Sequence, residues 1–171
     1  NVNPTRMQLT KLKKQLTTAV RGHKMLKDKR DELMRQFLDL VRENRELREK
    51  IEKELSECNA HFVNASAVMS KQALDASLMS PKQQVNIDDD SHNIMSVETP
   101  VFTAGTRTCD KGDIFPYGFA FTSFELDDAV MSLEKLLPDL IRLAQIEKSC
   151  EMMSAEIEKT RRRVNSLEHV M

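Results

Sequence analysis

The chain has 171 residues, of which 40% are hydrophobic, 31% charged and only 5% aromatic, with no Trp, one Tyr and four Gly. So few aromatics and glycines leave little material for a thick core or for tight phosphate-cradling turns, which argues against a compact enzyme domain and for long helices. Lys and Arg number 26 against 27 Asp and Glu, so the whole molecule has no global pull toward nucleic acid or anionic lipid.

Pro4 and Thr5 sit where a helix begins, Thr5 as a cap or Pro4 in the first turn. From Thr5 to Ser80 there is no proline and one glycine, Gly22. Alternating steps of three and four from Leu9 visit Leu12, Leu16, Ala19, His23, Leu26, Arg30, Leu33, Phe37, Leu40, Asn44, Leu47, Ile51, Glu54 and Cys58, and eleven of these fifteen are apolar. The stripe is narrow and repeats every 3.5 residues on average, which predicts a coiled-coil seam carried by Leu26, Leu33, Phe37, Leu40, Leu47 and Ile51. His23, Arg30 and Asn44 are polar a positions that lower stability and can fix register.

After Cys58 the pattern weakens, and Ala60 to Leu78 reads as a less regular helix ended by Ser80 and Pro81. Gln83 to Asp88 alternates, Asp89 to Asn93 is a polar turn cluster and Ile94 to Thr99 alternates again, which predicts a hairpin; Val101 to Tyr117, with Gly105, Gly112 and Pro116, reads as loop. A second long helix is expected from Ser123 or Phe124 onward, with a kink or register offset at Pro138. Beyond Pro138 the three-four spacing returns with Leu143, Ile146, Cys150, Met153, Ile157, Thr160, Val164, Leu167 and Met171, and Ile146, Met153, Ile157 and Val164 are its principal seam residues.

The expected fold is mainly α: a long antiparallel two-helix coiled coil with a small β-hairpin and loop knob between the helices. The expected segments are 1–80 for the first helix, 81–122 for the knob and 123–171 for the second helix, truncated at Met171. With helix ends near Leu78 and Ser123, facing residue numbers should total roughly 200. Met171 then lies opposite about residue 29, leaving Leu9, Leu12, Leu16 and Ala19 uncovered unless a continuation or a partner meets them. Charge is polarised along the chain: residues 1–30 carry a net +8, and residues 75–128 a net −7.

Three cysteines, Cys58, Cys109 and Cys150, show no CxxC spacing and point to a reducing cytosol. There is no run of ~18 apolar residues and no signal-peptide pattern at Asn1, so direct membrane insertion is not expected. No GxxxxGK[ST] or GxGxxG motif is present to wrap a nucleotide phosphate. His61, His92 and His169 are scattered, His23 reads as a seam residue, and Asp88, Asp89, Asp90 and His92 read as a solvated turn. The expectation is no catalytic residue, no metal and no cofactor. The basic end fits either a nucleic-acid phosphate surface or one that slides against acidic protein loops. No aromatic residues interleave its cations for base stacking, which favours the protein partner.

Pro4-Thr5-Arg6-Met7, the run from Arg21 to Leu33 (RGHKMLKDKRDEL), Asn93 to Val97 (NIMSV) and Glu158 to Glu168 (EKTRRRVNSLE) together resemble the D subunit of the V-type rotary ATPases, its bacterial and archaeal-type branch in particular. The resemblance spans both helices; between Ser80 and Thr122 it holds only at the hairpin. It implies a non-catalytic central-stalk rotor, cytoplasmic and peripheral to the membrane. Its open end would lie inside a hexamer of catalytic and nucleotide-binding subunits, the small F subunit of the stalk would bind alongside, and a connector would lead to the membrane ion-translocating ring. Torque would pass along it during ATP hydrolysis or ATP synthesis. On this reading Arg21, Lys24, Lys27, Arg161, Arg162 and Arg163 face the hexamer, and Phe62 to Val68 with Leu136 to Leu143 contribute to the F-subunit contact. The rivals are a structural coiled-coil tether and a basic nucleic-acid-binding coiled coil. A tether predicts no acceleration of ATP turnover, and a nucleic-acid binder predicts affinity that falls steeply with salt.

Overall fold

The computed structural model describes residues 4–108, 110, 112–118, 120 and 122–170, the Val170 side chain excepted. The fold is mainly α, and its elements in chain order are α1 (Arg6–Val68), α2 (Lys71–Leu78), β1 (Val85–Ile94), β2 (Val97–Thr106) and α3 (Phe124–Val170). Helices α1 and α3 pack antiparallel, with the β1–β2 hairpin between them in the chain. Two compact units are present: residues 1–41, 93–99 and 149–171 form the first, and residues 42–92 and 100–148 the second.

Helix α1 begins as its sequence demands. Thr5 Oγ1 accepts from the Gln8 amide at 3.4 Å and the Thr5 carbonyl accepts from the Leu9 amide at 3.0 Å, which satisfies two of the otherwise orphaned donors. Its end differs from expectation. The helix stops at Val68 rather than near Leu78, because Ser70 adopts an extended backbone and its side chain accepts from the Ala73 amide at 3.3 Å, starting α2. No Gly or Pro marks the break; a serine able to cap does the same in an Ala/Ser-rich stretch of weak apolar periodicity.

That earlier ending shifts the register. In the first unit His23 meets Glu168 and Lys29 meets Glu156. In the second unit Arg142 meets Glu43, Lys50 meets Asp139 and the Cys58 thiol donates to the Ala129 carbonyl. These partners' numbers total about 185 to 191, not 200, a correction of roughly ten residues that matches the ten-residue difference in where α1 ends. The residue opposite the end of α3 is accordingly about ten positions earlier than residue 29, near Ala19, and His23 faces Glu168 just before that end.

The first unit closes around Leu33, Val97, Met153 and Ile157, with Phe37, Leu40, Met95 and Met152 packed against them. The hairpin tip is thus part of the core here, and Val97 and Thr99 are buried. Burying the tip also explains why the strands are longer than the alternation suggests. β1 continues through Asp88, Asp89, Asp90 and His92, which are exposed strand residues rather than a turn, and the reversal occurs at Met95 and Ser96. Both take positive φ, 51° and 73°, and the Asn93 side chain accepts from the Ser96 amide at 2.9 Å. Residues 101–106, read from sequence as loop, complete β2; Pro100 is tolerated because each strand of a two-stranded sheet has an edge that needs no amide donor. The left-handed backbone at Ser96 is relieved by glycine. Ser96→Gly is therefore expected to raise the urea unfolding free energy by about 0.5–1 kcal/mol, and a loss of stability would contradict this turn geometry.

The second unit buries Ile51, Cys58 and Ala65 of α1 against Leu126, Ala129, Leu136 and Ile146 of α3. Helix α3 continues through Pro138. On the hairpin side, the Phe102 amide donates to Gln145 Oε1 at 3.3 Å, linking β2 to α3.

Candidate functional site: a cationic face on the first unit

The cations of the first unit are sorted by the seam. Thr160 and Val164 of α3 are both buried, so of the three residues between them the middle one points away from that buried face and the other two flank it. These are Arg161, Arg162 and Arg163, and all three are exposed. On α1, Arg21, Lys24 and Lys27 step by three along an outward band and are also exposed, while Lys29 and Arg30 are half-buried beside the seam. Lys29 is drawn to Glu156 at 3.6 Å and Arg30 to Asp31 at 2.7 Å. Of the six outward cations only Arg162 has a carboxylate, Glu158 one turn earlier; among the described residues the other five make no ion pair. Their charge is available to a partner.

The seam residues predicted from spacing differ in burial. Leu33, Ile51, Ile146, Met153, Ile157 and Val164 are buried, and Leu26, Phe37, Leu40 and Leu47 are half-buried. His23 at its a position is half-buried, with Nε2 2.8 Å from Glu168 Oε1. Leu9, Leu12 and Leu16 are 54%, 47% and 49% exposed, and Ala19 is half-buried. Gly22 lies mid-helix, and a methyl group added there meets no atom within 4 Å. Gly22→Ala is therefore expected to raise the thermal unfolding midpoint, through about 0.8–1 kcal/mol of helix propensity. A lowered midpoint would mean that this backbone must bend or approach another surface.

The second unit holds most of the perturbed titratable groups. Burial pushes the Cys58 thiol upward, which leaves it protonated and chemically quiet. Asp113 is held below the usual carboxylate range, first by its bond from Lys82 at 2.5 Å and then by its bond from Thr108. The Tyr117 hydroxyl, partly buried and donating to Asp127 Oδ1 at 2.9 Å, is pushed up by burial and by that carboxylate. Lys50 is raised chiefly by its bond to Asp139. The shifts of Asp113, Tyr117 and Lys50 belong to pairs that fasten α1, α3 and the loop within the second unit. Cys109 and Met171 lie outside the described residues.

The outward cations are visible in the sequence, because exposed Lys and Arg announce themselves in any helix. The pairing of His61 with Glu125, 64 positions away, is not, because only the folded register brings them together. No helix is long and apolar enough to cross a membrane among the described residues.

A family model for the D subunit of ATP synthase matches residues 8–171. The chain is 59% identical over 170 residues to the V-type ATP synthase D subunit of Acetivibrio thermocellus, covering 99% of this chain and 77% of the relative. It is 56% identical over 171 residues to the V-type ATP synthase D subunit of Clostridium botulinum, covering 99% and 79% respectively. With the one from Clostridioides difficile it shares 55% identity, over 100% of this chain and 77% of the relative. A match of this extent across α1, the hairpin and α3 alike leaves one assignment: the chain belongs to the ATP synthase D-subunit family.

Proposed function

We propose that the chain is the central-stalk rotor subunit of a V-type ATP synthase. It does no chemistry of its own and carries torque between a catalytic hexamer and a membrane ion-translocating ring. Two long helices packed along a buried seam resist bending and twisting better than one, and stiffness of that kind is what torque transfer requires. The observation that carries the reading is the outward cation set on this antiparallel pair. Arg21, Lys24, Lys27, Arg161 and Arg163 project to solvent without ion pairs among the described residues, and Arg162 beside them is held only by Glu158. Charges on flexible stems attract at long range and bind shallowly, so a turning shaft can be held without being locked.

On this reading the six cations face acidic loops of the hexamer. The small F subunit of the stalk docks on the second unit at Phe62 to Val68 and Leu136 to Leu143, where Phe62, Val63, Val68 and Leu140 expose apolar surface. A connector to the membrane ring completes the assembly, and the rotor is cytoplasmic and peripheral. The test is reconstitution with separately purified hexamer and F subunit. The chain should co-purify with both and accelerate ATP turnover by the hexamer; a tether would do neither, and that outcome would overturn the rotor reading.

A further inference from the structure

His61 lies in the last turns of α1, and Glu125 and Asp128 lie three apart at the start of α3, on one face of that helix. One ligand atom from each, the imidazole nitrogen and one oxygen of each carboxylate, lies within 4.8 Å of the other two. His61 Nδ1 is 3.1 Å from Glu125 Oε2, and all three residues are half-buried. Among the described residues neither carboxylate is ion-paired with a Lys or Arg. The neighbouring Tyr117 hydroxyl is committed to Asp127. The α3 N-terminus adds a partial positive charge of about half a unit near the two carboxylates. With a neutral imidazole the group carries two negative charges and presents one nitrogen and two oxygens toward a common point.

We propose that His61, Glu125 and Asp128 form a binding site for a divalent transition metal, with Zn2+ the preferred ion, that ties α1 to α3 within the second unit. Zinc takes imidazole nitrogen and carboxylate oxygen at about 2.0–2.2 Å in tetrahedral geometry, which sets ligand atoms about 3.3–3.6 Å apart. The His61–Glu125 separation is already close to that, and side-chain rotation of Asp128 closes the rest, with water as the fourth ligand. Magnesium and calcium prefer all-oxygen shells, so a set that includes imidazole selects against them. Bound metal favours the folded pairing by binding the folded chain and not the separated helices.

The test is calorimetric titration of Zn2+ into the metal-stripped full chain, with thermal unfolding followed in parallel. One saturable site and a raised midpoint are expected, with no comparable effect of Mg2+ or Ca2+. His61→Gln and Asp128→Asn should each weaken binding at least tenfold, while His92→Gln and Cys150→Ala leave it unchanged. If His61→Gln loses helical circular dichroism, Asp128→Asn decides alone, since an amide preserves the shape of that side chain. Absence of saturable binding at sub-millimolar Zn2+, or equal affinity in Asp128→Asn and the unaltered chain, overturns the proposal.

Discussion

Leu33→Ala and Met153→Ala are each expected to lower the free energy of unfolding by about 2–5 kcal/mol, which is a large share of a typical domain's total. Both side chains are fully buried and meet in the same cluster, where α1, α3 and the hairpin tip converge. Shortening either one removes apolar contact and leaves a cavity that three separate elements would have to collapse together to fill. Because the two residues share that cluster, the double variant should cost less than the sum of the single ones. Met25→Ala is the control: Met25 is 72% exposed on the same helix and should change stability by no more than about 0.5 kcal/mol. Urea unfolding measures all four. A Leu33→Ala loss no larger than that of Met25→Ala would mean that the seam does not hold the first unit together.

The second large effect is on assembly. Reversing Arg21, Lys24 and Lys27 together to Glu changes the exposed face by six charge units, and each outward charge facing an acidic loop contributes up to about 1 kcal/mol. Binding to the hexamer should weaken about 100-fold at low salt, equivalent to about 2.7 kcal/mol. Since the Debye length falls from about 10 Å at 0.1 M to about 3 Å at 1 M, the difference between variant and unaltered chain should shrink as salt rises. Stability should hardly move, because none of the three is ion-paired among the described residues. Lys53→Glu, an exposed change in the second unit, should leave hexamer binding alone. Equal binding of the triple variant at low salt would remove the cationic face from the hexamer contact.

The two long helices and their antiparallel packing are legible in the sequence because a three-four apolar rhythm survives whatever the chain packs against. The places that are not legible are those where a tertiary partner decides the local structure. The break after Val68 rests on Ser70 acting as a cap, one of several serines in that stretch able to do so. The hairpin reverses at Met95 and Ser96, residues with no intrinsic preference for positive φ, because the tip is anchored by Met95 and Val97 in the first unit's core. The polar run Asp88 to His92 has the composition of a turn, yet an exposed strand accepts it equally well. Likewise the outward cations can be named from sequence, while His61, Glu125 and Asp128 become neighbours only after the register moves by about ten residues.

The most direct test of the rotor account is to fix the catalytic hexamer to a surface, attach a visible probe to this chain near its exposed Asp88–Asp90 segment, and add ATP. The account predicts stepwise rotation of the probe in one direction, at a rate set by ATP turnover, and its loss when the chain is cross-linked to the hexamer. Continued ATP hydrolysis with the probe stationary, or undiminished turnover after cross-linking, would contradict it.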